Sequence, residues 1–227
     1  MAITVADVGA MPMPSLTVDQ VLSTTRTVRK RLDFSRPVPS ELIEECLRLA
    51  QQAPIGSNAL HPHFVIVTDP LKRAALGALY KRAWDGYVPM PFSARNIQIA
   101  DPLHAAQQPR VLDSATYLAE HLAEVPMLVI PCISPRPDGL PTWIAACIWG
   151  SVLPAAWSFM LAARAHGLAT AWTQIHPMFE EEAAAVLGIP YADVVQAAML
   201  AVAYPRGTDF KAVYREPLET YLHYNAW

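Results

Sequence analysis

The sequence predicts a layered domain of the α/β or α+β class, in which helices cover a β-sheet. Four apolar runs with strand character alternate along the chain with five or six segments of helical period. One of the helical segments, residues 142–167, is far longer and more apolar than the others. No internal repeat breaks this order, and 227 residues suit a single domain, so we expect one domain over 1–227.

The first half of the chain is expected to contain three helices and one strand. Ser40 follows a proline-rich approach and is expected to cap the second helix, which Pro54 ends. Asp69 followed by Pro70 is typical of a helix start, because proline lacks only an N–H that is unused in the first turn. These patterns predict helices at 17–28, 40–53 and 69–84, and a buried strand in the β-branched run 63–68.

The second half repeats the alternation of helices and strands. A helix is expected to reach about Glu124, and Gly188 is expected to stop the last helix in a left-handed conformation. Apolar runs with β-branched residues predict the remaining strands. The predicted ranges are strands at 125–133, 168–174 and 194–204, with the last helix at 178–187.

The environment of the long helix is the first question, because the helix carries no charge from Trp143 to Ala163. An uncharged run of this length is long enough to span a membrane. It is rich in alanine, Pro154 interrupts it, and no Lys/Arg cluster flanks it, so we interpret it as a buried helix and expect no membrane contact. A helix that is apolar on all sides must be covered by a large core or by a second subunit.

Composition excludes several functional classes. The net charge is −3 and the pI about 6.1, so nucleic acid is not an expected partner. The cysteines Cys46, Cys132 and Cys147 are widely spaced in apolar contexts, which predicts reduced core thiols. Residues 1–16 lack the pattern of a secretory signal and are expected to form a flexible arm. These observations favour a cytoplasmic protein.

Two basic groups and one polar loop carry the candidate chemistry. Arg26 and Arg29 lie near the start of the chain, and Lys211 and Arg215 lie near its end. Each pair alone is more typical of a solvated surface. The loop Gly56–Asn58 combines short side chains with accessible backbone N–H groups, so the three pieces together predict a cradle for an anion.

The chain resembles the nitroreductase family of FMN-dependent flavoproteins along nearly its whole length. The resemblance lies in Arg26-Thr27-x-Arg29, in Ala53-Pro54-x-Gly56-Ser57-Asn58, and in the segment 161–174. It continues in 187–190 and in the ending from Ala203 to Glu219. The resemblance implies an α+β fold with a layered α/β/α arrangement, a central mixed sheet, and a homodimer built on the long helix.

The resemblance also implies the cofactors and their contacts. FMN would be bound with its phosphate in the basic groups and its ring against the polar loop and the 167–173 segment, and NAD(P)H would donate electrons. Residues 205–227 would embrace the partner subunit, and residues 85–110 would form a lid. The implied cofactor-binding residues are Arg26, Thr27, Arg29, Pro54, Ile55, Gly56, Ser57, Asn58, Leu168, Ala169, Thr170, Lys211 and Arg215.

Departures from the family pattern leave the acceptor open. Leu60, His61 and Pro62 stand where the family often has an amide, Pro or Gly, and Trp. His61 and His63 lack a third ligand nearby, so no metal site is expected. We expect an enzyme that reduces a flat aromatic acceptor such as a quinone or nitroarene, with Trp84, Tyr87 and Phe92 above the ring and no assigned catalytic residue. The alternatives are a protein that only holds FMN and a structural α/β dimer.

Overall fold

The computed structural model describes residues 15–227, so the predicted arm at 1–16 lies outside the described residues apart from its last two positions. The helices are α1 Val18–Thr24, α2 Ser40–Ala50, α3 Pro70–Tyr87, α4 Pro102–Ala105, α5 Gln108–His121, α6 Thr142–Ala165 and α7 Glu180–Leu187. The strands are β1 Leu32–Asp33, β2 His63–Val67, β3 Met127–Ile133, β4 Ala169–Thr173, β5 Val195–Gln196 and β6 Met199–Pro205.

The strands form one sheet around β3 and β6. Strand β3 pairs with β2 on one side and with β5 and β6 on the other, and β6 also pairs with β4 and β1. These pairs are antiparallel. A parallel bridge from Thr27 to Thr170 makes the sheet mixed. The α+β class and the central mixed sheet are therefore confirmed.

Side chains of the central strands alternate between two cores, one on each face of the sheet. Leu128 packs in the first core with Leu76 of α3 and Leu118 of α5. Its neighbour Val129 packs in the second core with Phe159 of α6. This alternation produces the predicted α/β/α layers, with α3 and α5 on one face and α2 and α6 on the other.

Several local signals place the helix ends as expected. The Asp69 carboxylate accepts hydrogen bonds from the amides of Leu71 and Lys72, and Pro70 is the first residue of α3. Gly188 ends α7 in the left-handed conformation, with φ 73. Pro39 rather than Ser40 is the N-cap of α2, and Ser40 is already helical. The shift by one residue leaves the direction of α2 unchanged.

The predicted strand 194–204 is wrong in one respect, because it is split into β5 and β6. Cys132 pairs with Gln196, whereas Val129 pairs with Leu200, so three steps on β3 face four steps on the other strand. One extra residue is a β-bulge, which bends the strand without ending the sheet. The Ala197 amide donates to the Pro131 carbonyl within the bulge at 2.8 Å.

The first helix is shorter than predicted, and strand β1 was not predicted. Helix α1 ends at Thr24, and Thr25 is already extended, with φ −67 and ψ 128. The residues after Thr25 form hydrogen bonds with strands of the sheet instead of continuing the helix. Leu32–Asp33 is too short for an alternating pattern to reveal it. The basic residues Arg26 and Arg29 therefore lie beside the sheet and not on a helix.

Three further predictions need correction, two on burial and one on the order of a segment. Strand β2 lies at the edge of the sheet, so only Val67 among its residues is fully buried. The segment 85–110 is more ordered than predicted, since α3 continues to Tyr87 and α5 begins at Gln108. Cys46 and Cys132 are buried as expected, but Cys147 is exposed on α6.

Helix α6 is buried on one side only within a single chain. Val152 and Phe159 are fully buried, while Trp143 is 70% exposed and Trp157 is 38% exposed. The exposed residues recur at helical spacing and form one stripe, which we call the α6 stripe: Trp143, Ala146, Cys147, Gly150 and Trp157. Helix α6 is long and apolar enough to pass a test for a membrane span by length and composition, yet it also packs on α2 and the sheet.

Candidate functional site

The segment from Arg26 to Arg29 leaves α1 in an extended conformation and runs beside β4. The Val28 amide donates to the Thr170 carbonyl at 2.8 Å, and Val28 itself is buried in the core. Arg29 Nη1 donates to Ser114 Oγ of α5 at 3.2 Å. Burial lowers the pKa of Arg29, and the neighbouring charge of Arg26 lowers it further.

The first residues of the C-terminal tail, residues 206–211, contact the segment that contains Arg26 and Arg31. Arg31 Nε donates to the Arg206 carbonyl at 3.0 Å, and Arg31 Nη2 forms an ion pair with Asp209 at 2.6 Å. Arg26 Nη1 donates to the Lys211 carbonyl at 3.3 Å. The structure thus brings together the two basic groups that are 185 residues apart in the sequence.

Two further contacts fix the tail around Arg215. The Tyr214 hydroxyl donates to Asp101 Oδ2 at 3.0 Å, and Glu216 Oε1 lies 2.8 Å from His104 Nδ1 in α4. Arg215 lies between these contacts and is exposed. Contacts within the chain therefore hold parts of 205–216, while 217–227 are exposed.

Four arginines from separate parts of the chain form what we call the basic cluster: Arg26, Arg31, Arg110 and Arg215. Burial is the main cause that lowers the pKa of Arg26, and the charges of the other three lower it further. Like charges at close range repel each other and are stabilised by a bound anion. The basic cluster is therefore a region of concentrated positive charge, of the kind that attracts multiply charged anions.

The loop Pro54–Asn58 is fixed by helix α6. The Gly56 amide donates to Ser151 Oγ at 2.8 Å, and Ser151 Oγ donates to the Cys147 carbonyl at 2.7 Å. Ser57 and Asn58 both have φ 53, in the left-handed region that costs about 1–2 kcal/mol for an ordinary residue. Both are exposed. The loop therefore presents a rigid, strained polar edge to the outside of the chain.

Leu168, Ala169 and Thr170 are placed less favourably for a ligand. Leu168 is fully buried, and Ala169 and Thr170 are each 3% exposed. Together with Arg26 they line a narrow pocket beside the C-terminal end of α6. Their access to a ligand is limited to this pocket.

The two halves of the predicted site lie far apart within one chain. The loop Pro54–Asn58 contacts α6 at Ser151, whereas the pocket beside Arg26 contacts α6 at Arg164. Thirteen residues of helix separate these positions, which corresponds to about 20 Å along the axis. One chain therefore presents the loop and the basic cluster at different levels along α6.

Comparison with known proteins identifies the family. The family model described as the nitroreductase family matches residues 22–204, which is most of the chain. The chain belongs to the nitroreductase family. This membership supports an FMN-dependent oxidoreductase as the general class. No curated protein matches the chain.

Solved structures of nitroreductase-like flavoproteins share the fold. An iodotyrosine deiodinase bound to FMN and 3-iodo-L-tyrosine has TM-score 0.69 and 19% identity, and a BluB-like flavoprotein from Clostridium difficile 630 has TM-score 0.66 and 19% identity. The FMN- and NADPH-dependent nitroreductase NfnB from Sphigopyxis sp. strain HMH has TM-score 0.65 and 21% identity. Each match covers 93% of this chain and 100% of the other.

The departures of this nitroreductase family member have a structural cause at Leu60. Its side chain is partly buried and packs against the core cluster that contains Ile148 and Val152 of α6. A Cβ atom at Gly56 would lie 2.8 Å from Leu60 Cδ1, so Gly56 allows this close packing. Leu60 therefore fills an apolar niche under the loop, where an amide would need a hydrogen-bond partner.

The three aromatic residues expected above a ligand, Trp84, Tyr87 and Phe92, differ in exposure. Trp84 is 6% exposed and belongs to the core, so the expectation that it roofs a site is wrong. Tyr87 is half-buried, and its hydroxyl accepts a hydrogen bond from the Ala94 amide at 3.0 Å. Phe92 is 65% exposed, and its ring centroid lies 6.3 Å from that of Tyr87. Phe92 is the most exposed of these three aromatic side chains.

Sequence patterns missed other residues of this candidate site. Arg110 carried no signal beyond its charge, and Phe210 lay in a segment without a period. Arg164 carried a usable signal, because it is the sole charged residue of α6. A single charge at the end of an apolar helix marks a position with a specific partner.

Proposed function

We propose that this protein is a homodimeric FMN-dependent oxidoreductase that uses NAD(P)H to reduce flat, electron-poor aromatic acceptors of the quinone or nitroarene type. The basic cluster carries the proposal, because the segments that contain Arg26 and Arg215 converge on it from distant parts of the sequence. Reduced cysteines and the acidic pI suit the cytoplasm, where we place the protein. Membership of the nitroreductase family supports the general class.

The residues at the basic cluster fit the phosphate of FMN. A phosphate monoester carries a charge of about −2, and arginine donors match its oxygens through paired hydrogen bonds. Arg26 and Arg215 of the cluster, together with the neighbouring Arg29, would supply guanidinium groups, and Thr27 would supply a hydroxyl. Lys211 adds a further charge at the mouth of the site. Bound FMN would supply the hydride chemistry between NAD(P)H and the acceptor.

The α6 stripe supports the homodimer. Two exposed tryptophans on an apolar helix face are unfavourable in water and are stabilised by a second copy of the same face. In such a dimer the loop Pro54–Asn58 of one subunit would complete the site whose basic cluster belongs to the other. This arrangement accounts for the separation of about 20 Å between the two halves along α6.

The protein's own residues would then bind the flavin ring and cover the slot in which the donor and the acceptor react. The loop Ser57–Asn58 would place polar groups at the edge of the flavin ring, and Phe92 would cover an apolar slot for the donor and then the acceptor. The proposal assigns no protein side chain as general acid or base. A shared slot means that donor and acceptor bind one after the other.

A spectrum tests this proposal directly. Purified protein, reconstituted with FMN, should be yellow with about one FMN per subunit and should bleach on anaerobic addition of NADPH or NADH. Initial rates at several fixed concentrations of a quinone should give parallel double-reciprocal lines, as expected for two successive half-reactions. A protein that ignores FMN would refute the proposal, and intersecting lines would refute the shared slot.

A second candidate function is a flavin-holding protein without reductase turnover. The packing of Leu60 into the apolar niche favours it, because this position offers no amide to a ring or substrate. The iodotyrosine deiodinase and the BluB-like flavoprotein that share this fold illustrate that it is not restricted to one chemistry. If millimolar NADPH and NADH leave the bound flavin oxidised, this candidate replaces the first.

A further inference from the structure

Arg164 is a buried cation whose donors are largely unused. Its side chain is only 6% exposed, yet its Nε and Nη1 atoms have no hydrogen-bond partner in residues 15–227. Its remaining donor Nη2 makes one long hydrogen bond, of 3.4 Å, to Thr24 Oγ1. The ion pairs found in this part of the chain include none for Arg164. An unpaired buried charge is costly, so the site gains from a bound anion.

The pocket beside Arg164 supplies the place for such an anion. Arg26, Arg164, Thr24, Thr25 and Phe210 line it, and its free volume is about 10 Å³. This volume is about what the centre of one water molecule requires, so a single oxygen atom of a larger anion fits it. Burial lowers the pKa of Arg164 and the charge of Arg31 lowers it further, which indicates a positive potential at the pocket.

The tail closes the pocket through Phe210. The guanidinium carbon of Arg164 lies 4.8 Å from the centroid of the Phe210 ring, and that of Arg31 lies 4.3 Å from the same centroid. Phe210 is therefore held between two cations by cation–π contacts. The adjacent Lys211 carbonyl accepts from Arg26. The pocket thus adjoins the basic cluster through their shared residue Arg26, and the rest of the anion would lie on that side.

We propose that Arg164 binds one oxygen atom of the FMN phosphate from within this pocket, while Arg26 binds the phosphate at its mouth. The inference rests on the proposed function, since it names a contact of the same cofactor. Arg164 then acts as the selector for the phosphorylated flavin, because riboflavin lacks the group that reaches the pocket. No other charged residue of α6 could take this role, since Arg164 is its sole charge.

Flavin titrations test the role of Arg164. Apoprotein is prepared from the wild type, from Arg164→Met, which keeps the length of the apolar stem, and from Arg36→Met. Arg36 is the control because it also stacks on an aromatic ring, Tyr204, at 3.4 Å, but lies outside the pocket. The affinities for FMN and riboflavin are measured from the quenching of flavin fluorescence.

We expect Arg164→Met to weaken FMN binding about 10- to 100-fold and to leave riboflavin binding within about twofold. Arg36→Met should leave the ratio of the two affinities unchanged. The melting temperature of Arg164→Met apoprotein should be no lower than that of the wild type, because the variant removes an unpaired buried charge.

Each other outcome overturns the inference. Equal losses for FMN and riboflavin with a lower melting temperature would mean that Arg164 only supports Phe210 and the tail. Unchanged FMN affinity in Arg164→Met would remove Arg164 from the phosphate site while leaving the proposed function intact. A wild-type apoprotein that binds neither flavin would refute the proposed function, and the inference with it. If Arg164→Met does not fold, Arg164→Lys decides, and an unchanged preference for FMN in that variant, which lacks the planar guanidinium, refutes the inference.

Discussion

The amide of Gly56 donates a 2.8 Å hydrogen bond to the hydroxyl of Ser151, which lies 95 residues later in the middle of α6. The hydroxyl in turn donates a hydrogen bond to the Cys147 carbonyl one turn earlier. A single side chain thus connects the strained Pro54–Asn58 loop to the helix that carries the α6 stripe. The loop and the proposed subunit interface are therefore expected to respond together to changes at Ser151.

Replacing Ser151 by Ala should release the loop. The Gly56 amide would lose its partner in a part-buried position, which costs about 1–2 kcal/mol of unfolding free energy. Urea unfolding of the apoprotein measures this cost. The control is Ser158→Ala, a half-buried serine of the same helix, which should change stability by less than about 0.5 kcal/mol. Equal effects of the two changes would show that the bond to Gly56 contributes nothing specific.

A charge on the α6 stripe should abolish assembly. Ala146 is exposed within one chain, so Ala146→Glu allows the monomer to fold but would bury an unpaired carboxylate between two subunits. Light scattering should then give a mass near 24.9 kDa, and bound FMN should be lost. The matched control Ala185→Glu, an exposed alanine of α7, should stay at twice this mass. A dimer that tolerates Ala146→Glu would place the interface elsewhere.

Removing charge from the basic cluster should weaken FMN binding in a salt-dependent manner. Arg26→Ala and Arg215→Ala are each expected to lower FMN affinity about 10-fold at low ionic strength, with a smaller loss at high salt because both side chains are exposed. Fluorescence titration at two salt concentrations measures the effect. Arg95→Ala, which removes an exposed charge from the lid segment, serves as the control. Equal affinities in all three variants would contradict the phosphate assignment.

The buried histidine His176 should make stability fall in mild acid. Burial lowers the pKa of His176 to about 4, whereas an unfolded histidine has a pKa of about 6.5. Between these values the unfolded chain binds the additional proton and the folded chain excludes it, so stability decreases as the pH falls from 6.5 to 4. The shift corresponds to a contribution on the order of 3 kcal/mol.

Urea unfolding between pH 4 and pH 7 checks the effect of His176. His176→Gln should flatten the dependence of unfolding free energy on pH in this window. His223→Gln removes an exposed histidine of the tail and should leave the slope as in the wild type. An unchanged slope in His176→Gln would show that other groups cause the acid sensitivity.

Phe92 should influence the choice of acceptor. Its side chain is 65% exposed and would cover the slot, so Phe92→Ala should change kcat/KM ratios between a bulky and a small quinone by about 3- to 10-fold. The spectrum of bound FMN should stay the same. Leu71→Ala removes an 82% exposed apolar side chain from α3 and is the control. Identical acceptor ratios in Phe92→Ala and the wild type would remove Phe92 from the slot.

Local chemistry explains which parts of the fold the sequence could predict. Asp69 and Gly188 act on their own neighbours, so their helix ends follow from a few residues of sequence. The bulge at Ala197 and the short strand Leu32–Asp33 depend on pairing with distant strands, which leaves no local pattern. Trp84 was misplaced for the same reason, because burial under α5 and α7 is a property of the packed domain.

The same distinction holds for the candidate site. Arg26 and Lys211 could be selected by their residue types and motifs, and the structure brings their segments into contact. The contact of Arg31 with Phe210 was missed, since stacking of a cation on a ring requires no motif in either segment. The separation of the Pro54–Asn58 loop from the basic cluster also has no sequence signal, because it depends on where each contacts α6.

The distance between Ser151 and Arg164 along α6 has a genetic consequence. If each site takes its loop from one subunit and its basic cluster from the other, a subunit defective at Arg215 and one defective at Ser57 can complement each other. Random mixing would produce heterodimers with one intact site, about a quarter of all sites, from two parents that are each inactive. Unfolding and refolding the two variants together would restore this fraction of activity, and specific activity would fall on dilution as the subunits separate.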